Sequence, residues 1–247
     1  MPDGVDFSGR VALVTGGSRG IGRAIALALA AAGADVAVNF RARAEDAEAV
    51  AAAVRASGRR AVAVGADVSH ADAVERMVAH VARELGPVDV LVNNAGVALE
   101  RNGEPTSEAA FDGTIAANLK SAFLCMEAVL PGMRARGWGR VVNISSAAAR
   151  GGGLVGVAYN ASKAGLEGLT RGYAARVARD GITVNAVAPG PIDTEMAEPL
   201  KAMGVAARLP VGRIGTPEEV GLAVLLVAAN AFMTGQTVAV NGGVAFV

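Results

Sequence analysis

Short apolar runs alternate with longer amphipathic or alanine-rich stretches along the whole chain. RVALVTGG, Arg10 to Gly17, is β-branched, apolar and closed by glycines, which predicts a buried strand. GIGRAIALALAAAG then predicts a helix stopped by Gly33. ADVAVNF predicts a second strand, AEDAEAVAAAVRASG a helix ended by Gly58, and AVAVGADV a third strand. SHADAVERMVAHVARELG predicts a helix capped by Ser69 and ended at Gly86. DVLVNNAG is a fourth strand, followed by a long helical stretch from Thr106 to Arg136 in one or two pieces. RVVNISS is a fifth strand, a helix runs from Ala158 to Asp180, and TVNAVAPG is a sixth strand. Thr216-Pro217-Glu218-Glu219 is a capping box with proline at the first helical position, opening a helix that reaches Ala229. QTVAVNGG closes the series as a seventh strand.

This alternation predicts a parallel sheet covered by helices on both faces, the doubly wound α/β class. No linker, repeat or low-complexity segment divides the 247 residues, so one domain is expected. Ligands of such sheets bind beyond the carboxyl ends of the strands. TGGSRGIG, ADV, NNAG, NISS and APGPIDT all fall there.

Composition narrows the possibilities. Hydrophobic residues make up 52%, enough for a sizeable core. A net charge of zero without a basic block argues against nucleic acid or anionic membrane as a partner. The single cysteine, Cys125, lies in an apolar run and reads as a buried thiol. His70 and His80 fall in one predicted helix with its charged face outward, so no metal site is expected. The first residues lack a secretory pattern, and the apolar runs are broken by Gly, Pro or charge before a membrane span is reached. A soluble cytoplasmic protein is expected.

Two clusters carry candidate chemistry. In TGGSRGIG, Gly16, Gly20 and Gly22 sit between the first strand and first helix, where glycine lets a pyrophosphate approach the backbone at a helix N-terminus. Ser18, Arg19 and Ile21 complete this turn. The second strand ends with Asn39, Phe40 and Arg41, without the carboxylate that usually meets free ribose hydroxyls. Arg19 and Arg41 can instead clamp a 2′-phosphate, which favours NADP(H) over NAD(H); solvated loop arginines are the plainer alternative. The second cluster is AYNASKAGLEGLT. The chain holds two tyrosines and three lysines, and Tyr159 and Lys163 stand one helical turn apart. An ammonium there would lower the phenol pKa and make Tyr159 an acid or base for a carbonyl/alcohol pair. Ser145 and Ser146 end strand five, where a hydroxyl could hold a reacting oxygen. Asn118 lies within a helical run, either loosening it around a water or simply exposed.

Together these residues resemble the short-chain dehydrogenase/reductase family over essentially the whole chain. The resemblance implies a Rossmann fold, with TGGSRGIG as its TGxxxGxG cofactor turn. It also implies adenine contacts from Asp67 and Val68, and an NNAG segment in which Asn94, Ala95 and Gly96 lie beside the cofactor. Asn118, Ser146, Tyr159 and Lys163 match the family tetrad, the spacing to Tyr159 selecting Ser146 over Ser145. Pro189, Gly190, Ile192 and Thr194 match its PG segment at the nicotinamide end. The implied roles are a proton from Tyr159, polarisation by Ser146, a ribose contact and a depressed Tyr159 pKa from Lys163, and a water held by Asn118. Departures are Pro191, a short lid from Glu195 to Gly212, and Asn241 where many relatives have Asp.

In appearance the chain is nearest to 3-oxoacyl-[acyl-carrier-protein] reductases of fatty acid biosynthesis. That implies a small-molecule or carrier-bound ketone substrate and a homotetramer. Arg134, Arg136, Arg140 and Arg150 are the candidate docking surface for an acidic carrier, or else a solvated rim. An NADP-dependent dehydrogenase or ketoreductase of another secondary alcohol or sugar is the alternative. A non-catalytic NADP(H)-binding regulator is a more distant one.

Overall fold

The computed structural model describes residues 5–99, 105–152 and 155–246. Alternation along the strands sorts the core into two layers. In β1 (Val11–Val14), Ala12 and Val14 face one layer while Val11 and Leu13 face the other. The remaining strands are β2 (Asp35–Phe40), β3 (Ala61–Gly65), β4 (Val90–Asn93), β5 (Gly139–Ile144), β6 (Ile182–Pro189) and β7 (Thr237–Val240). All pair in parallel, in the order β3-β2-β1-β4-β5-β6-β7. The first layer packs α1 (Gly20–Ala31), α2 (Ala44–Ala56) and α8 (Pro217–Ala229) on the sheet. The second packs α3 (Ala71–Glu84), α5 (Ser121–Arg136) and α6 (Val157–Val177). Both faces are covered, as an all-parallel sheet requires. The strand order reverses between β1 and β4, and that switch point opens a crevice at the strands' carboxyl ends.

Helix ends follow the sequence in most places. Gly33 adopts φ +96 just beyond α1, a conformation that favours glycine. Thr216 and Glu219 form the expected capping box. Ser69 corrects the expectation. The N-cap of α3 is His70, without a side-chain cap, because the Ser69 hydroxyl donates to Asp67 Oδ1 at 2.6 Å instead. His70 therefore caps α3 rather than lying within it.

The long helical stretch is continuous. α4 (Glu108–Ile115) passes through a π-helical turn, Ala116–Lys120, directly into α5. Gly113 and Pro131 lie inside this path and do not break it. Its 29 residues make it, among the described residues, the one helix long and apolar enough to cross a membrane, which the broken apolar runs did not suggest. Packing explains its composition: Cys125, Met126, Val129, Leu130 and Met133 are buried in the second core layer. Burial pushes the Cys125 thiol up to about 12, so it behaves as a small apolar side chain.

Charge is handled differently at the amino ends of the strands. The guanidiniums of Arg10 and Arg140 stack over Trp138, 3.8 and 4.4 Å from the ring centroid. Arg140 is buried and donates to the carbonyls of Gly139, Gly181 and Ala228. It cannot serve as a docking residue. Arg134 pairs with Asp180 and Arg136 with Asp89, whereas Arg150 pairs with buried Glu167. Arg134 and Arg136 end α5, and Arg150 follows β5, so the four do not form one surface.

Candidate active site

The crevice is a cavity of about 730 Å³ lined at the carboxyl ends of six strands, β1 to β6. Its floor is built where β1 meets β4. The Thr15 hydroxyl accepts the amides of Asn94 and Ala95, each at 3.0 Å. Asn94 returns its side-chain amide to the carbonyls of Thr15 and Gly16, at 2.9 and 3.0 Å. The glycine turn is stapled to the NNAG segment by these bonds. Gly16 takes φ +61 against Ala95, and a Cβ at Gly22 would collide with the Gly16 carbonyl oxygen. These are positions only glycine can fill, and they leave the first turn of α1 open to an anion. Gly16, Ser18, Arg19, Gly20, Ile21 and Gly22 all line the cavity.

The end of β2 departs from the expected picture. The Asn39 side chain is buried rather than reaching outward. Its amide donates to the carbonyls of Phe40, Val64 and Ala66, and its oxygen accepts the Gly16 amide at 3.3 Å. It shapes the turn from behind. Arg19 and Arg41 both line the cavity, and so does Arg43, which the sequence reading passed over. Arg41 stands 3.9 Å from Asp67 Oδ2, while Arg19 and Arg43 both pair with Glu195. Burial works to raise the Asp67 pKa. The Ser69 hydroxyl and amide, with the Arg41 charge, outweigh it and hold the carboxyl below its ordinary value. Asp67 thus stays ionised beside Val68 on the cavity wall.

On the opposite side, α6 carries Tyr159 and Lys163 into the cavity. A buried polar chain holds this helix to the sheet: the Asn93 amide donates to Asn143, and the Asn143 amide donates to Thr170. Lys163 is buried, donates to the Ile144 carbonyl at 2.8 Å, and lies 5.7 Å from the Tyr159 ring centroid. Burial lowers its pKa to about 8. Tyr159 corrects the electrostatic expectation. Its pKa is raised, because burial outweighs the lowering effect of a hydrogen bond from Ser146. With this geometry the phenol keeps its proton at neutral pH.

The two serines divide their work. Ser146 bonds Tyr159 and accepts the Ala148 amide at 3.2 Å. Ser145 turns into the protein, donating to the Lys163 carbonyl and to Glu167 Oε1. Asn118 is buried within the π-helical turn, not exposed. Its oxygen accepts the Val97 amide at 2.7 Å, and its amide donates to the Val97 carbonyl and the Ser162 hydroxyl. Both amide hydrogens are thereby committed, so this side chain clamps the NNAG loop to α6. The extra residue of the π turn loosens the backbone here, and the Ser121 hydroxyl takes up the Ala117 carbonyl at 2.6 Å. Gly96 lies between these groups: a Cβ there would stand 3.2 Å from Asn118 Oδ1 and 3.6 Å from Lys163 Nζ.

Pro189, Gly190, Ile192 and Thr194 form the far wall. Pro191 suits its place, since its carbonyl accepts the Gly215 amide at 3.0 Å and no donor is needed from it. The segment beyond it folds as short turns, Glu195–Ala197 and Val205–Arg208, around α7 (Glu198–Ala202). Met196, Ala197, Leu200 and Val205 from this segment face the cavity. Asn241 ties down the last residues: its amide donates to the Ala245 carbonyl at 2.8 Å, and its oxygen accepts the Gly243 amide. Val244 and Ala245 thereby become part of the wall.

This arrangement matches known proteins across the chain. Residues 10–204 match the family described as short chain dehydrogenase. An acetoacetyl-CoA reductase of Rhizobium meliloti is 44% identical over 249 aligned residues, covering 95% of this chain and 98% of the relative. A 3-oxoacyl-[acyl-carrier-protein] reductase of Synechocystis sp. is 42% identical, covering 96% and 97%. The crystal structure of a protein described as a short-chain alcohol dehydrogenase from Sinorhizobium meliloti 1021 superposes with a TM-score of 0.91 at 39% identity, covering 97% of each chain.

Proposed function

Since the chain belongs to the short-chain dehydrogenase family, whose members are oxidoreductases of CH–OH and keto groups, we propose that it is an NADP(H)-dependent reductase of 3-oxoacyl thioesters. The reading rests on one observation above the others: a half-buried Tyr159 bonded to Ser146, with Lys163 one turn away, at the edge of a cavity with a glycine cradle. The cradle fits a dinucleotide, since Gly16, Gly20, Gly22 and Gly96 line the cavity without side chains of their own and leave backbone exposed at the first turn of α1. Gly16, Gly20 and Gly22 would hold the pyrophosphate and Asp67 and Val68 the adenine. Asn94, Ala95, Gly96, Ile192 and Thr194 would line the nicotinamide end.

When bound, the nicotinamide supplies the hydride that reduces the carbonyl carbon. The chain's own residues manage the proton. Tyr159 donates its phenolic hydrogen to the carbonyl oxygen, and burial keeps that hydrogen in place until a ketone arrives. Ser146 donates its hydroxyl hydrogen toward the same oxygens and stabilises the phenolate left behind. Lys163 would supply positive charge beside that phenolate and would be the group to hold the cofactor ribose. Asn118 holds Val97 to Ser162 of α6 and so keeps the NNAG loop in register with the helix that carries Tyr159 and Lys163.

The substrate end of the cavity is lined by Val97, Ala148, Val155, Met196, Leu200 and Val205. An acyl chain is at home against such walls, whereas a sugar would leave hydroxyl groups without partners. The reductase names of the two relatives point the same way. Arg41 and Arg43 beyond β2, with Arg19 of the glycine turn, support NADP(H) over NAD(H). We further propose a homotetramer, with the exposed Phe111 and Phe123 of the α4–α5 path on a subunit contact. The purified protein should oxidise NADPH with acetoacetyl-CoA, read at the nicotinamide absorbance, and do so faster than with any sugar. Turnover confined to sugars or other alcohols would defeat the thioester reading.

A further inference from the structure

The rim of the cavity carries a cluster that the proton chemistry does not use. Glu195 opens the turn that begins the roof segment. Its Oε2 accepts from Arg19 Nη1, and also from Arg43 Nη2 at 3.0 Å; its Oε1 accepts from Arg43 Nη1 at 3.2 Å. Arg43 therefore grips the carboxylate through two nitrogens, the geometry in which guanidinium recognises any planar or tetrahedral oxyanion. These contacts join residues 176 and 152 positions apart in sequence, and nothing local forces them. All three side chains line the cavity at the end of β2, where a cofactor's adenosine ribose would lie.

We propose that Glu195 is a specificity-determining residue that competes with the cofactor's 2′-phosphate for Arg19 and Arg43. This inference rests on the NADP(H) reading. The three side chains remain 49%, 46% and 59% exposed, so the internal ion pairs are screened and individually weak. A phosphate dianion offers more charge and three acceptor oxygens, and displaces the carboxylate. A cofactor without the 2′-phosphate has no reason to displace it. The carboxylate thus lowers affinity for the phosphorylated cofactor by the fraction of molecules in which the arginines are already occupied, and it narrows the margin over the unphosphorylated one. Asp46, 3.4 Å from Arg43 Nη1, is a further carboxylate on the same guanidinium, and Arg43 is its ion-pair partner here.

Glu195→Gln keeps the size of the side chain and removes its charge. Adenosine 2′-phosphate and adenosine 5′-phosphate are the probes, because each carries one phosphate and only its position differs. Calorimetric titration of the full-length variant should show 2′-phosphate binding tightened by about fivefold, the worth of two exposed ion pairs, with 5′-phosphate binding changed less than twofold. NADPH and NADH should follow the same split. Equal tightening of both nucleotides would mean a general charge effect and would overturn the inference, as would no change in either. A wild-type protein that prefers NADPH but shows no selective gain in the variant defeats this inference alone. Absence of any preference for the 2′-phosphate in both proteins defeats the NADP(H) reading and the inference with it.

Discussion

The two ends of the sheet each gather arginines, and they treat them in opposite ways. At the amino ends, Arg140 spends its donors on three backbone carbonyls and shares the Trp138 ring with Arg10. Nearby, Asp89 receives the Val11 amide and pairs with Arg136. At the carboxyl ends, Arg19 and Arg43 share one carboxylate over an open cavity, and Arg41 reaches Asp67 only at 3.9 Å. Arginine bound to backbone and aromatic surface holds a fold together. Arginine held by an exposed carboxylate beside a cavity is available to a stronger anion.

The sharpest way to break this comparison is at the carboxyl end, where changes should remove chemistry and spare folding. Tyr159→Phe should lower kcat by about a thousandfold, while NADPH affinity and the unfolding midpoint stay near wild type. Near-normal turnover in stopped assays would remove Tyr159 from the mechanism.

The amino end should behave inversely. Arg140→Met strips donors from the carbonyls of Gly139, Gly181 and Ala228 and one cation from Trp138. It should cost about 3 kcal/mol in urea unfolding, with kcat of the remaining folded protein within twofold of wild type. A large loss of kcat at unchanged stability would erase the division between the two ends.

A smaller effect sharpens the division within the cavity itself. Lys163 has a folded-state pKa of about 8 against an ordinary value of 10.5. Between those pH values the unfolded chain binds the additional proton, so this group's contribution to stability rises with pH across that window. Its burial penalty is fully present below pH 8. Lys163→Met should therefore be more stable than wild type at pH 7, and the difference should shrink by about 2 kcal/mol by pH 10. Denaturant titrations of both proteins across that range would show it. A difference independent of pH would mean that the ammonium carries no such penalty.

Much of this organisation is legible in the sequence because periodicity survives burial. Runs such as VALV and VLVN announce strands buried on both faces, and the glycines after them announce where the crevice opens. The capping box at Thr216 is a local pattern and reads locally. What the sequence hides is partnership across distance. Arg43 and Glu195 are ordinary polar residues until folding brings them together. Arg140 looks like a surface cation because nothing local shows that the distant carbonyls of Gly181 and Ala228 receive it. Ser69 reads as a cap because its competitor, Asp67, has a carboxylate whose orientation the sequence does not give. The spacing of Tyr159 and Lys163 shows that they share a helix face. It does not show that burial sets the phenol's acidity more strongly than its neighbour does.

Trp138, the only tryptophan in the chain, lies at the end of the sheet away from the cavity. Its emission is therefore an optical gauge of whether the sheet's base is intact, spectrally simple because no second indole contributes. Because it senses the stacked guanidiniums rather than the crevice, it can follow unfolding of each variant while activity is read separately from the nicotinamide.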